Sequence, residues 1–231
     1  NLIKHFEPFK ELLLNRNVRT GRYSIADYDL FLKGKKDIPY VMIKSSFKKG
    51  LYYLVSYSRD KSVFENEKIV CPQRSSNNTF GYTNQSWYGA SDVYFIVKNE
   101  STEISLKYLL AILNSKLTFF WLYNKGQRKG EFLQLFKDPL SDIPIKITDE
   151  KTQNKLIVFS DYILFTKNNL LDENMNKLLT TYLEQIVDGM VYELYFLELL
   201  QQHNRTIIEH SDALPAFTDT MSDAQKTQSI N

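Results

Sequence analysis

The chain has 231 residues, of which 43% are hydrophobic and 24% are charged, so it is long enough to bury the core of one large domain or two small ones. Its single cysteine, Cys71, excludes an intramolecular disulfide and a cysteine-based metal cluster, and it fits a reducing, cytoplasmic location. The chain begins at Asn1 and has no basic-then-apolar leader, so we expect it to be a piece of a longer polypeptide.

The charge is divided unevenly along the chain. Residues 1–130 contain 21 Lys and Arg against 11 Asp and Glu, a net charge of +10. Residues 131–231 contain 8 against 16, a net charge of −8. Such asymmetry indicates a surface for a polyanion in the first part. The alternative is chance variation in the charge of solvated surfaces.

The first part of the chain predicts one short helix and several strands. Apolar residues three and four apart favour a helix over residues 2–16. The cationic segment that follows, to residue 50, is irregular and contains one short strand at 40–43. Runs rich in Val, Ile, Tyr and Phe, separated by turn residues, then predict four further strands. These strands cover residues 51–57, 68–72, 79–83 and 93–97.

A central helix is predicted after these strands. Ser105 is a suitable N-cap, and an apolar stripe extends from Leu106 to Phe120. Polar residues at 114–116 interrupt the apolar run before the roughly 20 residues that a bilayer requires, so we expect no membrane span. A cationic loop, Lys125–Gly130, follows the helix and precedes a strand at 132–136. Pro139 and Pro144 are expected to bracket a rigid turn.

The acidic second half predicts two long helices, from about residue 149 to 168 and from 172 to 200. A short link between them indicates an antiparallel hairpin. Gly189 in the second helix favours a close helix crossing, and residues 211–231 are expected to be a loosely held polar tail. The predicted fold class is therefore α+β: a small mixed or antiparallel sheet with a packed central helix, followed by a C-terminal helical hairpin. Its expected regions are 1–147, 148–210 and 211–231.

The sequence contains no residue pattern that indicates catalysis. It lacks a glycine-rich phosphate or dinucleotide loop, an Asp/Asn-Pro-Pro-aromatic tetrapeptide, and a His/Cys spacing suited to zinc. Asp149-Glu150-Lys151 matches the Asp/Glu-x-Lys end of a nuclease motif, but its position favours helix capping. We therefore expect neither a catalytic residue nor a metal site, with a cryptic nuclease as the less favoured alternative.

The order of several motifs resembles the TaqI-like C-terminal specificity domain, the target-recognition domain found behind an adenine-N6 methyltransferase core in many type II restriction-modification enzymes. The resemblance covers most of residues 2–200, and residues 33–50 depart from the pattern as an insertion. The motifs that carry it are Phe9-Lys10, Tyr53-Leu54, Lys68-Ile-Val-Cys-Pro72, Phe80-Gly-Tyr82, Tyr108-Leu-Leu-Ala-Ile-Leu-Asn-Ser-Lys-Leu117, Gly126-x-Arg-Lys-Gly130, Ile143-Pro-Ile145 and Val187-Asp-Gly-Met-Val-Tyr-Glu-Leu-Tyr195.

The resemblance implies sequence-specific recognition of double-stranded DNA by the C-terminal part of a restriction-modification polypeptide. It also implies an upstream methyltransferase domain that binds S-adenosylmethionine, and often a nuclease that uses magnesium. No cofactor is expected in this chain itself. The alternative is a protein-interaction module in which the helical hairpin mediates assembly and contact with DNA is incidental.

Two sets of residues are the candidates for DNA contact, because recognition needs both phosphate contacts and base-edge contacts. The phosphate contacts are expected from Lys125, Gly126, Arg128, Lys129 and Gly130. The base-edge contacts are expected from Arg74, Ser75, Asn77, Asn78, Gln85 and Trp87. The alternative for the first set is a helix-ending glycine and a solvated basic turn. For the second set it is turn chemistry, in which Asn and Ser bind their own backbone.

Overall fold

Two small antiparallel sheets and a group of packed helices make up the part of the chain that the structure, a computed structural model, describes. The described residues are 61–89, 92–99, 103–168, 173–212 and 214–230. The predicted helix at 2–16 and the predicted strands at 40–43 and 51–57 lie outside them.

The first sheet follows a short helix, α1 (Lys61–Glu65), and has β1 (Lys68–Pro72) as its central strand. β4 (Val93–Val97) pairs with the whole of β1, from Lys68 opposite Val97 to Pro72 opposite Val93. β3 (Gly81–Thr83) pairs with the other edge of β1. β1 and β4 have the predicted bounds, and β3 is two residues shorter at its start than the predicted strand.

The second sheet has the strand order β2-β6-β5 and joins segments that are far apart in the sequence. β2 (Arg74–Ser75) follows β1 after one residue, and β5 (Arg128–Lys129) and β6 (Phe132–Gln134) form a hairpin. Gln73 links the two sheets, because its N–H donates to the carbonyl of Asp92 at 2.7 Å and its carbonyl accepts from the N–H of Leu135 at 2.9 Å.

The predicted central helix is divided into α2 (Leu106–Asn114) and α3 (Lys116–Lys125). Ser105 caps α2 as predicted, with its hydroxyl accepting from the N–H of Lys107. Ser115 has extended backbone angles and caps α3 by accepting from the N–H of Thr118. The change of direction at Ser115 ends the apolar stripe. The predicted position of Phe120 on that stripe is therefore wrong, because its side chain is 64% exposed.

The α2 helix packs on both sides of its axis. Leu106, Leu110 and Leu113 belong to the core beneath the sheets, whereas Tyr108 and Ile112 belong to the core of the helical hairpin. The hairpin consists of α5 (Glu150–Asn168) and α6 (Glu173–Gln202). The α+β fold with a central helix and a C-terminal hairpin is as the sequence predicts, and α2 is the element that joins its two cores.

The remaining elements correct three expectations. Pro139 lies inside a short helix, α4 (Lys137–Ser141), rather than in a turn, and a first-turn position tolerates proline. Gly189 faces Ile207 rather than another helix, since a Cβ atom there would collide with Ile207 Cδ1. The tail is packed rather than loosely held, because Phe217 stacks on Tyr162 with ring centroids 4.1 Å apart.

Two short helical elements follow α6. A 3-10 turn covers Ile208–His210, just before the tail, and α7 (Asp223–Gln228) lies within the tail and begins with a capping box between Ser222 and Gln225. Within the described ranges, every helix is too short or too polar to cross a bilayer.

Candidate nucleic-acid interface

The cationic loop is carried by α3, and residues from three parts of the chain hold the start of that helix. The hydroxyl of Ser115, the residue directly before α3, caps the helix by accepting from the N–H of Thr118. The carboxylate of Asp188, on α6, accepts from the N–H of Lys116 at 2.7 Å and forms an ion pair with the Lys116 ammonium at 3.2 Å. The amide of Asn78 donates to the carbonyls of Leu113 and Ser115 at 2.6 and 2.8 Å. The direction of α3 is therefore set by the sheet and the hairpin together.

Each glycine of the loop has a structural reason to be glycine. A Cβ atom at Gly126 would lie 2.6 Å from the carbonyl oxygen of Leu122, where α3 ends. Gly130 has a φ of +62°, and it is the first of two residues that connect β5 to β6. A positive φ at that position is typical of the tight two-residue turns of β-hairpins, which favour glycine. The expected close approach of these glycines to a ligand stays a prediction.

The second sheet brings part of the two predicted sets together. Arg74 and Ser75 on β2 lie opposite Gln134 and Leu133 of β6. Arg128 and Lys129 on β5 lie opposite Leu133 and Phe132 of the same strand. Predicted phosphate-contacting residues and predicted base-reading residues thus flank one central strand, although they lie in segments that are far apart in the sequence.

Arg128 and Lys129 point to opposite faces of this sheet, as adjacent strand residues do. Arg128 shares the face of Leu133, which is 1% exposed, and its guanidinium lies over the ring of Tyr123 at 4.0 Å from the ring centroid. This cation–π contact orients the exposed Arg128 side chain against α3. Lys129 is exposed on the other face, beside Phe132.

The polar segment after β2 is largely occupied by contacts within the fold. Both hydrogens of the Asn78 amide are used by the two carbonyls at the α2–α3 junction. The hydroxyl of Ser75 binds that of Thr79 at 3.0 Å and accepts from the N–H of Asn77. These hydrogen bonds within the turn match the alternative interpretation of this segment, in which polar side chains bind the turn itself. The side chains of Asn77 and Arg74, by contrast, are exposed.

Gln85 and Trp87 lie at the other end of β1 from Arg74. Thr83 pairs with Lys68 at the start of β1, and the loop with Gln85 continues beyond it. The buried Lys68 ammonium donates to the carbonyl of Gln85 at 2.8 Å. The structure therefore divides the predicted base-reading residues between two sites at opposite ends of β1.

Trp87 takes part in an aromatic cluster beside α1. Its ring lies 5.9 Å from that of Phe95, and the backbone N–H of Trp87 donates to the carbonyl of Phe64. Tyr88 stacks on Phe64 at 5.0 Å. Trp87 is nevertheless 42% exposed, so packing and contact with a ligand are both compatible with its position.

Comparison with known proteins identifies the family of this chain. The family described as the TaqI-like C-terminal specificity domain matches residues 25–145, just over half of the chain. The chain belongs to this family. The match includes both sheets and the central helices of the specificity domain, and it is narrower than the resemblance expected from the motifs, which extended to residue 200.

Three similar proteins are all named as type II methyltransferases, one of them combined with a restriction enzyme. The type II methyltransferases M.HincII and M.HindII of Haemophilus influenzae are 32% and 31% identical over 130 residues, which are 53% of this chain and about a quarter of theirs. A protein of Methanocaldococcus jannaschii, whose name combines a type II restriction enzyme with a methyltransferase, is 32% identical over 111 residues. That match covers 47% of this chain and 9% of the archaeal protein. The chain therefore corresponds to a minor part of these relatives.

The motif at 187–195 lies beyond the family match, and its polar residues have structural partners. Asp188 holds the start of α3, as described above. The carboxylate of Glu193, which is 5% exposed, accepts from the backbone N–H groups of Ile207 and Ile208. The hydroxyl of Tyr195 donates to the carbonyl of Pro144 at 2.6 Å and accepts from the N–H of Lys146 at 3.0 Å. This motif connects α6 to the end of the specificity domain and to the segment that follows α6.

The nuclease-like triplet serves as a helix start in the structure. Asp149 accepts from the N–H and the hydroxyl of Thr152 at 2.9 and 2.8 Å, which is the geometry of an N-cap. These hydrogen bonds lower the pKa of the Asp149 carboxyl. The helix-capping interpretation is confirmed. Among the described residues, no three His, Cys, Asp or Glu side chains converge as metal ligands would.

Two side chains of the second sheet were missed by the sequence analysis. Phe132 is 52% exposed, and Gln134 lies opposite Arg74 in the strand register. The signal was available, since a strand was predicted over 132–136 and residues two apart share a face. The identity of their strand partners was not available from the local sequence.

Proposed function

We propose that this chain recognises a DNA sequence for a type II restriction-modification methyltransferase. The observation that carries the proposal is the second sheet, which places Arg74, Arg128 and Lys129 around one strand in a member of the specificity-domain family. The net charge of +10 in residues 1–130 supports contact with a polyanion. Lys125, Lys129 and Arg128 would contact phosphates, and exposed polar side chains of the sheet would contact base edges.

The proposed DNA-contacting set differs from the expected one in one respect. Asn78 is left out, because its amide is used to hold the α2–α3 junction. Arg74, Ser75 and Asn77 stay in the set at one end of β1, and Gln85 and Trp87 stay in it at the other. Gly126 and Gly130 would act through the shape of the loop rather than through a contact of their own.

Methyl transfer would take place in another domain of the same polypeptide. This chain has no glycine-rich loop for S-adenosylmethionine, so the cofactor does not fit the residues present. The methyltransferase domain is the proposed protein partner. A nuclease that uses magnesium is a further proposal, supported by the combined name of the archaeal relative alone. The expected cytoplasmic location stays a prediction.

An interaction module is the second candidate, and the exposed apolar side chains on α6 favour it. They are Met175, Leu178, Tyr182, Tyr192, Phe196, Leu197 and Leu199, and the helix is kinked at Phe196. Exposed apolar surface on a helix is typical of a docking site. The methyltransferase domain is the occupant we propose, which makes this role compatible with DNA recognition.

The test is selection of duplexes by the 231-residue chain from a pool of random-sequence double-stranded DNA. We expect enrichment of one short sequence. Enrichment of no sequence would contradict the proposal, and binding that is also absent at low salt would leave the interaction module as the better account.

A further inference from the structure

One face of the second sheet carries the exposed side chains of Arg74, Lys129 and Phe132 and the half-buried side chain of Gln134. Residues directly opposite each other in antiparallel strands project from the same face. Arg74 is opposite Gln134, and Lys129 is opposite Phe132. Because Phe132 and Gln134 are two residues apart on β6, all four side chains share this face. We refer to Arg74, Lys129, Phe132 and Gln134 as the β6 face.

On its opposite face, β6 packs against the core of the protein. Leu133 is 1% exposed and belongs to the core beneath the sheets. The alternation of a buried Leu133 with an exposed Phe132 shows that the strand buries one side only. No ion pair or side-chain hydrogen bond connects Arg74 or Lys129 with another residue in the described ranges. The exposure of a phenylalanine between two cations is therefore not explained by packing.

The shape of this element suits the major groove of DNA. The groove is about 12 Å wide and admits a two-stranded β-ribbon. At its tip, where Lys129 pairs with Phe132, the sheet has only the two strands β5 and β6, about 5 Å apart, and β2 joins β6 at Leu133 and Gln134. The turn that begins at Gly130 closes it with two residues, so no bulky loop obstructs its tip. Lys129 lies next to the tip, where phosphates would be within reach of its side chain.

The chemistry of the β6 face matches base edges. A glutamine amide can form two hydrogen bonds with adenine, a guanidinium can do so with guanine, and an aromatic or methyl-bearing side chain can contact the thymine methyl group. We propose that Phe132 and Gln134 are specificity-determining residues that read an A·T pair in the major groove, with Arg74 on the neighbouring base pair and Lys129 on phosphate. This inference rests on the proposed function of DNA recognition.

The loop with Gln85 and Trp87 is less suited to this role. Lys68 holds the Gln85 backbone, and the Trp87 ring packs against Phe95. The loop also lies at the far end of β1, whereas Gln134 and Arg74 are directly opposite each other. The β6 face therefore provides the denser group of base-reading side chains.

The experiment selects duplexes from a random-sequence pool with the 231-residue chain and with three variants, Phe132→Ala, Gln134→Met and Gln134→Glu. We expect Phe132→Ala and Gln134→Met to lose discrimination at one base pair by about 10- to 100-fold. Their salt dependence of duplex binding should equal that of the unchanged chain. Gln134→Glu should change the preference at that base pair from A·T toward C·G, because a carboxylate accepts a hydrogen bond from the cytosine amino group.

Gln202→Met is the matched control, since it makes the same change of side chain at an exposed position at the end of α6, outside the proposed DNA-contacting set. It should select the same sequence as the unchanged chain. Selection of one sequence by the unchanged chain and by all three β6 variants would overturn this inference and leave the proposed function intact. Selection of no sequence by the unchanged chain would overturn both. The midpoint of thermal unfolding checks that each variant is folded.

Discussion

Asp149 belongs to a triplet that matches the end of a nuclease motif, but its side chain caps a helix. Its carboxylate accepts from the N–H and the hydroxyl of Thr152 at the start of α5. The N–H groups of a first helical turn have no partner within the helix, so an acceptor at this position stabilises the helix. The triplet gives no reason to assign nuclease activity to this chain.

The lowered pKa of Asp149 predicts how this stabilisation changes with pH. A carboxyl whose pKa is lower in the folded state stabilises the fold above its unfolded pKa, near 3.8. The stabilisation is lost as the pH falls through the folded pKa. Asp149→Asn keeps a capping oxygen but does not titrate. Urea unfolding midpoints should therefore favour the native side chain at pH 7, and the difference should shrink at pH 3. A difference that is constant across this range would contradict the capping account.

Among the elements, α6 contacts the segment that follows it through two residues of the motif at 187–195. Gly189 leaves space for the side chain of Ile207, and Glu193 binds the backbone at Ile207 and Ile208. Glycine inside a helix costs roughly 1 kcal/mol relative to alanine, so its presence here needs a steric reason. The close approach of Ile207 provides that reason.

A double-mutant cycle tests this contact. Gly189→Ala introduces a Cβ atom against Ile207 Cδ1, and Ile207→Val removes that Cδ1 methyl group. We expect Gly189→Ala to be neutral or destabilising alone, but to raise the free energy of unfolding by about 1 kcal/mol when Ile207→Val is present. Urea unfolding of the four proteins measures the coupling. Equal effects of Gly189→Ala in both backgrounds would show that Ile207 does not explain the glycine.

Local sequence patterns were sufficient for some elements and insufficient for others. β1 and β4 were predicted with the observed bounds, since each is a β-branched and aromatic run between turn residues. The break at Ser115 was missed, because a serine in a long apolar pattern is also compatible with a continuous helix. Its cause includes Asn78 and Asp188, whose contacts depend on distant parts of the chain.

The arrangement of the site was harder to predict for the same reason. The pairing of Arg74 with Gln134 joins two distant segments, and nothing in either segment identifies the other. Conversely, Gln85 is close to Arg74 in the sequence but lies beyond the opposite end of β1, because β3 runs antiparallel to β1. Residue types suggested DNA contact, whereas strand pairing determined which of these residues lie opposite each other.

At the scale of the whole molecule, the division of charge has an internal consequence. Lys107 of α2 forms an ion pair with Asp161 of α5, and Lys116 of α3 forms one with Asp188 of α6. The basic and acidic parts of the chain are thus joined by opposite charges at the central helices. The acidic hairpin would be repelled by phosphates, so we expect it to face away from DNA and to present the exposed apolar side chains of α6 to the methyltransferase domain.

We propose that the cationic β5 strand holds duplex DNA. The most direct measurement is the affinity of the 231-residue chain for a random-sequence duplex as a function of salt.

The double variant Arg128→Ala with Lys129→Ala is compared with a control that removes the same charge from the hairpin helices, Lys167→Ala with Lys177→Ala. In the first variant, the slope of log affinity against log salt should decrease by about one for each phosphate that the protein no longer binds. The control should keep the slope of the unchanged chain. Equal slopes for all three proteins, or an equal decrease in both variants, would contradict the claim.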